Sequence, residues 1–272
     1  MGIEIKYTNP KKLLNPATGF LQGYSYTLNP YVGCTFACSY CYVRRMPVAL
    51  FRKSDWGKWV DVKQKLALDF RKEMLRAKRK GNTTIFMSSS TDPYQPIEYS
   101  EKITRTLLQV MVEEKPDFLF IQTRSPLVTR DIDLFLQMKD RIRISITIET
   151  DLEPIRKVFS PIAPPIPARL KALEKLAKSN LPIQATVSPV LPFSKEFPYR
   201  LKQMVNRVCI DDFFMGDGAG GKRTKQLGIK RIFEKHNLTQ WYDSSTYLKV
   251  VDEFTKAFAK ESIFISKDGF MP

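Results

Sequence analysis

Three of the four cysteines in this 272-residue chain, Cys34, Cys38 and Cys41, lie in the stretch "NPYVGCTFACSYCYVRR", Asn29–Arg45. The spacing is C-x3-C-x2-C, and Tyr40 and Tyr42 bracket the last thiol. Where thiols stay reduced, such a cluster serves a metal or redox chemistry more often than a disulfide. A disulfide framework also leaves one of the three over. A tetrahedral zinc site needs a fourth ligand, which would have to be Cys209 or His236, the chain's single histidine. An iron–sulfur cubane is the third option. Three thiolates then hold three corners, and the fourth iron stays open to a small molecule.

A loop of this kind needs a scaffold, and the flanking sequence supplies one. Short β-branched runs alternate with stretches of helical period. The pattern predicts strands near Tyr26–Val32 and at Thr83–Ser88, Phe118–Gln122, Ile142–Ile148, Ile183–Val187 and Val208–Phe213. Helices are expected over Lys58–Lys80, Ser100–Glu113, Arg130–Lys139, Pro167–Ser179 and Tyr199–Val205, with a terminal helix at Ser245–Lys260 and a short strand at Ile263–Ser266. Alternation of this kind implies an α/β fold, a parallel sheet with right-handed crossovers that forms a barrel or part of one. Ligands of such sheets sit beyond the carboxyl ends of the strands. Polar residues gather there: Ser88–Asp92, Thr123 and Arg124, then Ser145, Thr147 and Glu149, then Ser188. Their convergence on one rim is what a polar cofactor requires.

The charge is high. Lys and Arg number 44 against 28 Asp and Glu, a net +16. Such an excess favours polyanionic partners. Two segments concentrate it, "RKEMLRAKRK" at Arg71–Lys80 and "KRTKQLGIKRIFEK" at Lys222–Lys235. No apolar run is long enough for a membrane span, and the opening "MGIEIKYTNPKK" lacks the apolar stretch of a secretion signal. A cytoplasmic chain without membrane partners, and a monomer, is the expectation. "GDGAGGKR", Gly216–Arg223, nearly spells a phosphate loop, but Arg223 replaces the magnesium-binding Ser or Thr. Trp241 and Tyr242 could stack on bases, although core packing is the commoner task of such residues.

"GCTFACSYCYVR" resembles the CxxxCxxC signature of the radical S-adenosylmethionine (SAM) superfamily, including the aromatic residue before the last cysteine. "STDPYQPIE", "IQTRS", "RISITIETD" and "PPIPARLKALEKLAKSNLPIQATVSPVLP" follow in order and resemble the spore photoproduct lyase-like branch. That resemblance implies a partial (β/α)6 radical SAM barrel over residues 26–214, an N-terminal extension over 1–25, and a C-terminal basic extension over 215–272 packed on the barrel. It gives Cys34, Cys38 and Cys41 to a [4Fe-4S] cluster whose open iron binds SAM. It implies SAM contacts at Tyr40, Thr91, Arg124, Ser145, Thr147 and Ser188, with Arg124 where the lyase has a lysine. An electron from a flavodoxin or ferredoxin would cleave SAM to a 5′-deoxyadenosyl radical. The best-known family member reverses a thymine dimer, so nucleic acid is the implied substrate, DNA more than RNA.

One position departs from the pattern. The lyase carries a hydrogen-donating cysteine at the second strand end, and Ser89 stands here. A serine O–H is too strong to replace a thiol, which puts the same dimer reaction in doubt. Tyr42, beside the last ligand, is the remaining candidate for a chemical role. Two alternatives stay open: a radical SAM enzyme for a small molecule or peptide, and a zinc-containing nucleic-acid-binding protein that is no enzyme.

Overall fold

The computed structural model describes residues 2–64 and 66–272. Met1 and Lys65 fall inside the expected N-terminal extension and the expected helix over 58–80, and lie outside the described residues. The main sheet has eight strands in the order β11-β10-β9-β8-β7-β6-β3-β2. β3 (Tyr26–Leu28), β6 (Thr84–Met87), β7 (Phe118–Thr123), β8 (Ile142–Thr147), β9 (Ile183–Val187), β10 (Val208–Ile210) and β11 (Ile263–Ile265) run parallel. β2 (Leu14–Pro16) closes one edge antiparallel to β3. The parallel sheet of a partial barrel is thus present, and the expected series of six gains β11 as a seventh strand. Its short run Ile263–Ile265 pairs residue for residue with Val208–Ile210.

The parity of each strand builds the barrel. In β8, Ile144 and Ile146 are fully buried in the layer between sheet and helices, while Ser145 and Thr147 point to the opposite side. In β6, Ile85 and Met87 join that same outer core, and Phe86 turns inward. Phe86 and Phe120 stack at 5.0 Å, with Phe270 edge-on to both, so aromatic rings fill the lower barrel. Helices Leu66–Lys80, Ile103–Glu113 and Ile166–Lys178 cover the outer face with Met74, Leu107, Leu170 and Leu173 among their buried residues. Among the described residues no helix is long and apolar enough to cross a membrane.

A second sheet corrects the sequence reading. Residues 59–63, expected as the start of a helix over Lys58–Lys80, form strand β5 (Trp59–Lys63). It pairs in parallel with β1 (Glu4–Thr8) and antiparallel with β4 (Tyr31–Val32). The β-branched Val60 and Val62 suit an extended chain, and pairing on both sides buries Trp59, Val60 and Val62 to 1% exposure or less. The expected strand over Tyr26–Val32 is accordingly split between the two sheets. This small sheet braces the cysteine loop from behind. Gly33 sits at φ +86°, and a Cβ there would lie 2.7 Å from the Trp59 carbonyl oxygen. Only glycine fits between strand β4 and Cys34.

Basic segment one ends at the wrong end of the molecule for the site. Lys78–Lys80 form the last turn of helix Leu66–Lys80, next to the start of β6 and opposite the strands' carboxyl ends. Arg71 and Lys78 are also paired with Glu113 and Glu114 of the neighbouring helix.

Candidate active site at the carboxyl ends of the strands

A cavity of about 740 Å³ opens at the carboxyl ends of the parallel strands. Cys34, Cys38 and Cys41 share its wall with Tyr40, Tyr42, Ser89, Thr91, Arg124, Thr147 and Ser188. Phe86 and Phe270 also line it. All three thiols are free. Backbone ties hold the loop: Gln95 accepts from the Thr35 N–H at 2.9 Å and donates to the Gly33 carbonyl at 3.0 Å. On the far side, the Ser39 N–H and hydroxyl both donate to the Phe159 carbonyl, at 2.9 and 2.8 Å.

Ser145 does not reach this cavity. It faces the barrel interior but lies one layer lower, fully buried, with its hydroxyl 2.6 Å from that of Thr186. Thr147 and Ser188, two residues and one strand further on, are the positions that line the wall. Parity told which side Ser145 faces, but not how high it sits.

Arg124 crosses the cavity to the cysteines. Its Nη1 donates to the Cys38 sulfur and to the Tyr40 hydroxyl, each at 2.8 Å. Among the described residues no carboxylate pairs directly with its guanidinium. Asp92 instead accepts the Arg124 backbone N–H at 2.9 Å and the Thr123 hydroxyl at 2.6 Å. This fixes the strand end from which the arginine projects. The Tyr42 hydroxyl donates to the Ser89 carbonyl at 2.6 Å. Ser89 Oγ accepts from Asn29 at 2.9 Å, and Asn29 Oδ1 accepts the Ser90 N–H at 3.0 Å. Asn29 opens the cysteine stretch and Asp92 and Gln95 stand within "STDPYQPIE", but their tasks were not readable there, since each bonds to groups brought near only by folding.

Burial pushes all three thiols up, Cys41 to about 11, so thiolates there need a cationic partner. A soft metal centre supplies one, and three sulfur donors suit iron. Yet among the described residues no three His, Cys, Asp or Glu side chains converge closely enough to share one ion. Cys209 packs instead against the aromatic plug, its thiol facing the Ser266 carbonyl at 3.6 Å, and His236 caps an exposed helix end. The donor set therefore fits a multi-iron cluster with separate corners better than a single zinc.

The loop after β10 completes the wall. Asp217 accepts from the N–H groups of Ala219, Gly221, Arg223 and Thr224 at 2.7–3.2 Å, folding the glycine segment into a compact turn. Gly216, Gly218 and Arg223 line the cavity from it, and helices Lys222–Gln226 and Ile229–Lys235 follow. Trp241 and Tyr242, candidates for base stacking, are instead packed against Phe193 and against Phe213, Phe214 and Phe233.

Asp211 and Asp212 also line the cavity, and each has one buried carboxylate oxygen without a partner. Burial raises Asp211 to about 7, helped by the charge of Asp212. Between its ordinary 3.8 and about 7 the folded chain holds a proton that the unfolded chain has lost. Its contribution to stability therefore falls as pH rises through that window and is constant above it. Asp211→Asn should gain on the native chain over the same window, by up to about 4 kcal/mol. Paired thermal melts from pH 4 to 8 check this; a pH-independent difference contradicts it.

The profile of the radical SAM superfamily matches residues 28–196, more than half of the chain. An uncharacterized protein of Methanocaldococcus jannaschii is 35% identical over 271 residues, 97% of this chain and 96% of its own. One from Acidianus two-tailed virus is 34% identical over 62% of this chain and 57% of that protein. Among solved structures, spore photoproduct lyase complexed with dinucleoside spore photoproduct superposes with a TM-score of 0.65 at 13% identity, over 96% of this chain and 81% of the lyase. A double mutant of that lyase with bound AdoMet and the same dinucleoside gives 0.64 at 14% identity, over 96% and 81%. The chain belongs to the radical SAM superfamily, and its fold is that of spore photoproduct lyase. It is a radical SAM enzyme.

Proposed function

We propose that Cys34, Cys38 and Cys41 hold a [4Fe-4S] cluster, that SAM binds beside it, and that the substrate is a nucleotide of DNA or RNA. The reaction on it would be lesion repair or base modification. The observation that carries this reading is the common wall: three free thiols, Cys34 and Cys38 buried and Cys41 half-buried, share one cavity with an arginine whose guanidinium, among the described residues, pairs directly with no carboxylate. When bound there, cluster and SAM supply a 5′-deoxyadenosyl radical able to take hydrogen from an unactivated C–H bond. The electron comes from a low-potential carrier of the flavodoxin or ferredoxin kind.

The protein's own residues bind, orient and exclude. Arg124 is the cation for the SAM carboxylate, capable of bidentate pairing. Thr91, Thr147 and Ser188 offer hydroxyls along the same wall, and Tyr40, within the cysteine loop, accepts from the arginine. The aromatic rings below, Phe86 stacked on Phe120, give the cavity an apolar floor, which would help keep water from a radical. Ser89 cannot return a hydrogen atom as a thiol would. Tyr42, hydrogen-bonded to the Ser89 carbonyl, is the neighbouring group with a weaker O–H bond and takes the candidate radical role.

The nucleic-acid part rests on three supports: the +16 net charge, the second basic segment following directly on the cavity-lining glycine loop, and the fold shared with a lyase that binds a dinucleoside photoproduct. A base inside a duplex must be flipped out to reach the cavity, at a cost of a few kcal/mol that phosphate contacts offset. Three to five such contacts give a log–log salt slope of about −3 to −4.5 for DNA binding. Replacing Lys222 and Lys225 by alanine should each flatten it by about one. Affinity titrations across salt test this, and absent or salt-insensitive binding contradicts it.

A further inference from the structure

We infer that Tyr40, anchored by the buried Glu149–Arg169 ion pair, is a positioning residue that fixes the Arg124 guanidinium on the Cys38 sulfur and so sets the reduction potential of the cluster. The inference rests on the reading of Cys38 as a cluster ligand, and concerns how the chain tunes that ligand.

The connection is continuous. Arg169 Nη1 donates to Glu149 Oε2 at 2.6 Å, and both side chains are fully buried. Glu149 Oε1 accepts from the Tyr40 hydroxyl at 3.0 Å and from the Ser160 hydroxyl at 3.1 Å. The Tyr40 oxygen, its own proton given to Glu149, accepts from Arg124 Nη1 at 2.8 Å. The same nitrogen uses its other proton on the Cys38 sulfur, also at 2.8 Å. One nitrogen is thus held from two sides, by an acceptor whose orientation the ion pair dictates. Edge-on packing against Phe213 at 6.1 Å holds the tyrosine ring. Burial alone would push the Glu149 carboxyl up, but Arg169 and Arg124 outweigh it and hold it below the ordinary value, so the anchor is an anion.

The redox consequence follows from charge. Reducing the cluster adds an electron to a site already anionic through its thiolates. A guanidinium proton on a ligating sulfur stabilises the more negative state, and hydrogen bonds to the sulfurs are a recognised determinant of cluster potential. Without the tyrosine hydroxyl the long arginine side chain regains rotamer freedom and is free to leave the sulfur. Tyr40→Phe changes no charge, so any shift in potential reports position.

The experiment is a redox titration of anaerobically reconstituted chain, monitored by the electron-spin signal of the reduced cluster, with iron counted for every sample. Arg124→Met should shift the potential to more negative values, and Tyr40→Phe should shift it the same way by a smaller amount. The double variant should go no further than Arg124→Met alone, because both remove one interaction. A Tyr40→Phe potential equal to that of the native chain overturns the inference, as does a shift that adds in full to that of Arg124→Met. Should Tyr40→Phe not retain its iron, Tyr40→Leu, likewise without a hydroxyl, gives the same comparison. A native chain that assembles no cluster overturns the site reading itself, and this inference with it.

Discussion

Alanine at Cys34, Cys38 or Cys41, one at a time, is expected to reduce iron from about four per chain to near none and SAM cleavage to background. Each thiolate would occupy its own corner of the cluster, so two cannot stand in for three. Among the described residues no nearby Cys, His, Asp or Glu forms a substitute set, since Cys209 is committed to the aromatic plug. The same substitution at Cys209 should leave iron content unchanged. Iron analysis and deoxyadenosine release, measured on anaerobically purified material, check both. A cysteine variant that kept its full complement of iron would contradict the ligand assignment.

Breaking the Glu149–Arg169 pair should carry the largest cost in stability. Arg169 is fully buried, and its guanidinium also reaches the Pro164 and Thr147 carbonyls at 2.8 and 3.3 Å. Arg169→Met leaves the Glu149 carboxylate buried with only hydroxyl donors and the more distant Arg124. Removing one partner of such a pair typically costs about 3–5 kcal/mol. The double replacement Glu149→Leu with Arg169→Met should recover much of that loss, since two apolar groups avoid both desolvation penalties. Denaturant midpoints measure the two variants. A single replacement that cost under about 1 kcal/mol would mean that the pair is not held as described.

The cysteine loop and the rim were legible because their signals are local. Cys34, Cys38 and Cys41 lie within one loop, and Thr91, Arg124, Thr147 and Ser188 each follow or end an apolar run that reads as a strand. The failures share one cause, that pairing across long distances leaves little trace in composition. Strand β5 hid in an expected helix because its partner β1 lies more than fifty residues earlier, from Glu4↔Trp59 to Thr8↔Lys63. Glu149 was visible as a strand-end polar residue, but its bond to Arg169 joins β8's end to helix Ile166–Lys178, past an intervening helix over Glu153–Phe159. Asp131, near the start of the helix expected over Arg130–Lys139, spends its carboxylate on Arg105, Arg130 and Tyr94 rather than on capping. The charge total carried no information about place: the first basic segment is partly neutralised by Glu113 and Glu114 and lies away from the cavity, whereas the second follows the cavity-lining loop.

The substrate claim has one direct test. Oligonucleotides deuterated at candidate carbon positions, in DNA and in RNA, are incubated anaerobically with reconstituted enzyme, SAM and a low-potential reductant. Deuterium appearing in 5′-deoxyadenosine from nucleic acid, and missing when the Cys38→Ala chain is used, is the predicted result. Deoxyadenosine formed without label from any nucleic acid, but labelled by a deuterated peptide or small molecule, would contradict the account.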